Sequence, residues 1–350
     1  MSGKNVQERN GRVAGDVAAA PPSRSLAQDL AHYRDANWSR AAFELAVTAG
    51  LLIASWVAMW FSLGVGYWLT LLLAVPAAGF LVRLFMIQHD CGHGAFFPNR
   101  LANDWTGRIL GMFTFTPYDY WKRNHTIHHA TSGNLDRRGT GDILTLTVAE
   151  YRLRSAWGRF CYRAYRHPLV LFGVGPAFLF FLQHRVPVGQ MRGGLRPWIS
   201  TIATNAGIAL LAAAMIWLVG SGAFFAVHLP VMLLAASVGV WLFYVQHQFE
   251  RVEWSRDGAW TLHGAALAGS SHYDLPAVLR WFTANIGVHH VHHLSSRIPF
   301  YRLRAVLRDH PQLHGFGRVT LAQSLGTVRL ALWDEAKQAL VSFREERRSS

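Results

Sequence analysis

Cysteine is nearly absent from this chain. Cys91 and Cys161 are the two in 350 residues. That is too few for a disulfide framework or a thiolate metal site, and it fits a reducing compartment. Acidic residues are scarce as well: 20 Asp and Glu stand against 34 Lys and Arg, a formal net charge of +14. No basic run is interleaved with aromatics in the way a single-strand binder needs, so no nucleic-acid partner is expected. The zinc-protease pattern His-Glu-x-x-His does not occur, and neither does a low-complexity tract. Residues 1–40 lack an apolar signal core, and Glu8, Asp16 and Asp29 weigh against a transit peptide. They are expected to form a flexible cytoplasmic tail.

Apolar residues are abundant: 51% of the chain is hydrophobic, with 14 Trp and 21 Phe, and only 15% is charged. Crossing a bilayer takes about 20 apolar residues. Four stretches qualify, at 42–63, 67–88, 198–219 and 223–246. Gly64-Val65-Gly66 and Gly220-Ser221-Gly222 join them in pairs, which predicts two helical hairpins. Ile109–Tyr118 and Leu169–Leu182 are too short to span and read as interfacial or re-entrant. Neither short turn contains Lys or Arg, and Arg83 is the only such residue inside a predicted span. The positive-inside rule therefore puts both termini and the central region in the cytoplasm. The expected fold is an all-α integral membrane protein: four transmembrane helices in two hairpins, with a cytoplasmic helical domain. The main domain is expected over 41–320 and a cytoplasmic C-terminal helix or tail over 321–350.

Three histidine clusters stand where apolar segments give way to charged ones. They are His89-Asp90-Cys91-Gly92-His93, His125-Thr126-Ile127-His128-His129 and His289-His290-Val291-His292-His293. Residues three and four apart share a helix face, so each cluster is expected to aim its imidazoles at one point. The metal-ligand candidates are His89, His93, His125, His128, His129, His289, His292 and His293. Eight exceed the four ligands of a zinc site and suit two ions. All three clusters fall on the side that Lys and Arg define as cytoplasmic. His247 ends the fourth span as His89 ends the second, and it becomes a ninth candidate.

Other histidines have plainer readings. His32, His167, His184, His310 and His314 are read as structural, and His228 as an interfacial hydrogen-bonder. His263 and His272 lie between the last span and the third cluster and are not counted as ligands. His290 is off the ligand face and is expected to be supporting or exposed. Asp90 and Glu250 adjoin candidate ligands and suit a supporting carboxylate role, since ligating imidazoles donate their other N–H. A surface ion pair with arginine is the alternative for both. Cys91 points away from the histidines of its cluster.

Neutral nitrogen ligands without thiolates suit iron. A site roofed by apolar helices suits a bilayer substrate and oxygen-dependent attack on an unactivated C–H bond. With these motifs the chain resembles the membrane-bound fatty acid desaturases, the family with three histidine boxes. The HDCGH form of the first box and Leu294-Ser295-Ser296-Arg297-Ile298-Pro299 after the third resemble its acyl-lipid Δ12/ω-6 branch. Gly139-Thr140-Gly141-Asp142 also looks familial. The similarity covers about 40–320.

The resemblance implies a diiron centre (two Fe ions), O2 as co-substrate, and an acyl-lipid substrate. It also implies a separate electron donor of the ferredoxin or cytochrome b5 type. No His-Pro-Gly-Gly haem stretch occurs, so no fused cytochrome is implied. A histidine outside the boxes is also used in the family, and His247 is the position that matches. The rival enzymes are an acyl or alkane hydroxylase and a carotenoid ketolase with the same boxes. A metal transporter is the rival of another class, but the span interiors offer little beyond Arg83 and Glu44 to line an ion path.

Overall fold

The computed structural model describes residue 26 and residues 28–348. Four long helices carry the membrane-like part of the chain: Trp38–Ser62, Tyr67–Gly92, Leu195–Val219 and Ser221–His247. They coincide with the four predicted spans and extend most of them by a turn at the ends opposite the short connections. Asn37 caps the first helix, its Oδ1 accepting from Arg40 N at 2.9 Å. Gly220, at φ 83°, ends the third helix in a conformation that favours glycine. Trp60, Phe61, Tyr67, Trp68 and Trp217 are exposed near the two short turns, as an interfacial aromatic belt requires.

The second helix, Tyr67–Gly92, is the most buried of the four and packs against both the first and the fourth. Small side chains at Ala74, Ala77 and Ala78 let those neighbours approach closely. A Cβ on Gly79 would lie 2.6 Å from the Phe282 ring, so the short helix Ala277–Phe282 rests directly on this span.

Arg83, the lone cation of the predicted spans, is buried and paired with Glu44 of the first helix. Its Nε donates to Thr48 Oγ1 at 3.2 Å, and Nη1 donates to the Trp281 carbonyl. The guanidinium also lies 4.2 Å from the Trp281 ring centroid. Arg40 bonds the other Glu44 oxygen at 2.6 Å.

The stretch Ile109–Tyr118 is the end of one helix and the start of another. Arg100–Phe113 and Tyr118–Thr131 form a tight corner through Phe115, at φ 54°. Gly107 and Gly111 make the corner possible, because Cβ atoms there would lie 2.2 Å from the Tyr118 ring and 2.5 Å from Thr116 O. Tyr118 Oη then donates to the Cys91 carbonyl at 2.8 Å, binding the corner to the end of the second helix. Leu169–Leu182 contributes a π-helical turn, Val170–Val174, and the helix Gly175–Phe181. That segment bends by 58° from Ala156–Tyr165.

The flanks are more structured than tails. Residues 1–25 and 27 of the expected N-terminal tail lie outside the described residues. Leu30–Arg34 forms a 3-10 turn with Leu30 and Tyr33 buried, and Tyr33 Oη donates to Asp309 at 2.8 Å. At the other end, Leu321–Thr327 is a helix, but a hairpin of Leu332–Asp334 and Ala339–Val341 follows it. Leu146–Thr147 joins that hairpin in parallel, and Trp333 is fully buried. These strands have no periodic signature because each is two or three residues long.

The buried ion pair predicts a measurable asymmetry. Glu44→Leu alone strands the Arg83 charge and is expected to cost about 3–5 kcal/mol. Glu44→Leu with Arg83→Leu is expected to recover most of it. Unfolding midpoints of the detergent-purified variants check this; equal loss in single and double variants would show that the pair carries no such penalty.

Candidate metal centre

The second and fourth helices end side by side, on the face opposite the two short turns, and bring His89 and His247 there. Tyr118–Thr131 and His289–Leu294 carry the other clusters to the same place. All nine candidate histidines meet, in two groups. One is His89, His93, His125, His129 and His292; the other is His128, His247, His289 and His293. Within each group the nearest ring nitrogens lie within 4.8 Å of one another.

The grouping corrects one expectation. The clusters do not each converge on one point: the second and third are shared between two. In an His-x-x-His-His run the first and last residues lie about 40° apart around the helix, and the middle histidine lies about 60° to the other side. His125 and His129 therefore enter the first group while His128 turns to the second. The third cluster mirrors this, with His289 and His293 in the second group and His292 in the first. His129 and His293 stack across the boundary at 4.1 Å.

Seven Nε2–Nε2 approaches fall at 3.0–3.2 Å, all within a group. His125 Nε2 alone faces those of His89, His93 and His129. One N–H can satisfy one of those three contacts, so the others oppose lone pairs unless a cation lies between them. Nitrogens about 2.1 Å from an ion are ~3.0 Å apart at right angles and ~3.4 Å apart in a tetrahedron. The observed spacing and the five-histidine group both fit an ion with more than four ligands, in keeping with iron rather than structural zinc.

Protonation state agrees. Burial, and then the neighbouring imidazoles, hold His93, His125, His129, His289, His292 and His293 well below the ordinary imidazole range. Neutral imidazoles with free lone pairs are what a metal requires. The second group is fully buried, whereas His93, His125 and His129 of the first are partly accessible.

Three of the distal ring nitrogens, those of His89, His128 and His247, have partners that set the tautomer, whereas Nδ1 of His289 and of His292 is buried without one. Asp142 Oδ1 accepts from His128 Nδ1 at 2.6 Å, and Asp142 Oδ2 accepts from Gly139 N at 3.3 Å. His247 Nδ1 faces the Gly269 carbonyl at 3.3 Å. Asp90 takes its expected place, 3.3 Å from His89 Nδ1, while its other oxygen accepts from Phe300 N at 2.6 Å. Trp121 stacks on His125 at 4.6 Å and 16°, in space left by Gly92.

Two supporting candidates are corrected. Glu250 forms an exposed ion pair with Arg329 at 2.9 Å and does not reach the histidines. His290 is buried, not exposed, and donates to the Leu313 carbonyl at 2.9 Å beside His272 and away from both groups. Asp142 was missed as a partner of His128. Its signal was the glycine turn: Gly139 and Gly141 have φ of 112° and 74°, and a Cβ on Gly141 would lie 3.3 Å from His128 Cβ.

Four membrane-length helices, two of them ending at paired histidine groups that could each hold a metal ion, define a membrane protein of the histidine-box class. The sequence model for fatty acid desaturases matches residues 66–322. A fatty acid desaturase of Bacillus subtilis is 42% identical, over 93% of this chain and 92% of its own length. An sn-1 acyl-lipid omega-3 desaturase (ferredoxin) of Synechocystis is 30% identical over 63% of this chain and 61% of its own. An sn-1 oleoyl-lipid 12-desaturase of Anabaena variabilis is 26% identical over 70% of each. The chain belongs to the fatty acid desaturase family and is an enzyme of that kind; its relatives include the acyl-lipid Δ12/ω-6 branch.

Asp142→Asn keeps the shape of the side chain but removes the charge that holds His128. Loss of such a partner costs about 10–100-fold in metal affinity. Iron retained against a graded chelator should fall by that factor in Asp142→Asn and stay unchanged in Glu250→Gln. Equal retention in the two would remove Asp142 from the site.

Proposed function

We propose that the protein introduces a double bond into a lipid-linked fatty acyl chain, as a Δ12/ω-6-type desaturase. In this reading the two groups are the ligands of a diiron centre. His89, His93, His125, His129 and His292 hold one iron, and His128, His247, His289 and His293 hold the other. Iron, when bound and reduced, supplies the activation of O2. Per turnover the acyl chain loses two hydrogens from adjacent carbons. Two electrons from a separate ferredoxin-like or cytochrome b5-like donor and two protons complete the reduction of O2 to two waters.

The observation that carries this reading is the convergence of all nine imidazoles, split five and four, just past the ends of two membrane helices. The chain's own residues then have definite tasks. Asp142 and the Gly269 carbonyl hold His128 and His247 as Nδ1–H tautomers, with Nε2 free toward the centre. Phe243 lies 5.0 Å from both rings and keeps water from that side. An acyl chain can approach through the hydrocarbon without crossing bulk water. The lysine and arginine distribution supports cytoplasmic placement of the site and both termini, with 41–320 as the catalytic domain. The basic surface there suits an acidic donor protein.

The test is expression in a host without polyunsaturated lipids, followed by gas chromatography of its fatty acids. Expected are a new dienoic acid, about two iron ions per purified chain, and no product from His128→Ala or His292→Ala. A hydroxylated product would overturn desaturation; full activity with zinc alone or in His292→Ala would overturn the diiron assignment.

A further inference from the structure

A pocket of about 350 Å³ lies beside the third histidine cluster, and none of the nine clustered histidines lines it. Its wall runs through Val288, the residue before His289, so it shares the loop that carries the cluster. Arg280, Arg304 and Arg308 face it against a single carboxylate, Asp274. That carboxylate is already held by Arg318 at 2.6 Å, and Arg308 is paired with Asp309 at 2.7 Å. Arg280 and Arg304 have no carboxylate in ion-pair range among the described residues. Arg280 donates to the Leu275 carbonyl at 3.5 Å, and three guanidinium groups against one carboxylate in one concavity call for an anion. Arginine in particular matches the paired oxygens of a phosphate.

The pocket is firmly built. Ala284 and Asn285 both hold positive φ, 50° and 56°, where the chain turns toward His289. Such a conformation is unfavourable for Ala284 in particular and persists where the surroundings enforce it. Here Tyr273 N donates to Gly287 O at 2.7 Å, and a Cβ on Gly287 would lie 2.3 Å from Tyr273 O. Tyr273 and the loop that leads to His289 are locked together.

Its depth is informative. The helix Ala277–Phe282 lies on the second membrane helix, with Phe282 against Gly79 and the Trp281 carbonyl bonded to Arg83. Val278 and Leu279 of that helix are exposed, while Arg280 lines the pocket. An apolar lip thus adjoins a cationic cavity at the edge of the bundle. A soluble anion would use the arginines alone; a molecule with a phosphate and an acyl chain would use both surfaces.

We propose that this pocket binds the phosphate of the substrate's acyl carrier, with Arg280 and Arg304 as its contacts and the chain passing over Val278 and Leu279. The proposal rests on the acyl-substrate reading above. A phospholipid headgroup is the source that the apolar lip favours; a soluble phosphate-bearing thioester carrier such as coenzyme A shares the chemistry.

Equilibrium binding to the detergent-purified holoenzyme tests it without turnover. The probes are phosphatidylglycerol, diacylglycerol with the same chains, and coenzyme A as competitor. Each lost charge-assisted contact should weaken phosphatidylglycerol binding about tenfold. Arg304→Gln alters an exposed side chain and controls for misfolding; Arg280→Gln with Arg304→Gln gives the larger loss. Iron content and diacylglycerol binding should not change. Displacement by coenzyme A that depends on Arg280 and Arg304 would assign the phosphate to a soluble carrier; its failure to displace would assign it to the lipid. Wild-type phosphatidylglycerol affinity in the double variant, or an equal loss of diacylglycerol, overturns the proposal. Arginine-dependent binding in a protein that makes no double bond would instead sink the functional reading and leave the pocket standing.

Discussion

Nine clustered imidazoles, six buried and three partly accessible, with Nε2 atoms 3.0–3.2 Å apart are the constraint around which the molecule is built. Ordinary packing gives no reason for them. Each burial removes an imidazole from water, and a buried polar group without a partner costs free energy. At most four of the seven contacts can be hydrogen bonds at once, since each Nε2 offers one N–H or one lone pair. A cation at each group would repay the desolvation, and the surrounding structure holds the rings in place for one. Tyr118 ties the second-cluster helix to Cys91, Gly107 and Gly111 allow the corner to close, and the Gly287–Tyr273 contact fixes the start of the third cluster.

Much of this was legible in the sequence, for two physical reasons. Hydrocarbon thickness demands long apolar runs, so the four helices showed as composition. The distribution of lysine and arginine brought the three clusters to one side without reference to histidine, and the matching ends of two spans added His247. The split of the clusters was less visible. Spacing shows which residues share a helix face, but it does not show that partners wait on both sides of it. His128 and His292 change groups because rings from Tyr118–Thr131 and His289–Leu294 face each other across the site, which is a tertiary fact.

The same limit explains the other differences. Asp142 is remote from any histidine cluster in sequence and reaches His128 through a turn that two positive-φ glycines allow. Glu250 is three residues from His247, yet it follows the end of the helix, and the chain turns it toward Arg329. Proximity in sequence misled there, and distance concealed the true partner. Glu44 and Arg83 looked like isolated charges in two spans and are one buried pair joining them. The C-terminal hairpin had no signal because its strands are held by Trp333 and by Leu146–Thr147 rather than by their own pattern.

Helix length then fixes how far the histidines stand from the hydrocarbon. At 1.5 Å per residue, His89 lies about 33 Å along the second helix from Tyr67, and His247 lies ~39 Å along the fourth from Ser221. The hydrocarbon core is roughly 30 Å thick. With both helices starting at the aromatic belt, helices of these lengths carry both histidines past a core of that thickness. A site deeper in the membrane would leave the polar turns around Asp142 and Gly269 without water or partners. A site further out would lose the apolar approach. The ends of these two helices are the depth at which irregular, hydrogen-bonded loops and a hydrocarbon chain can meet the same nine side chains.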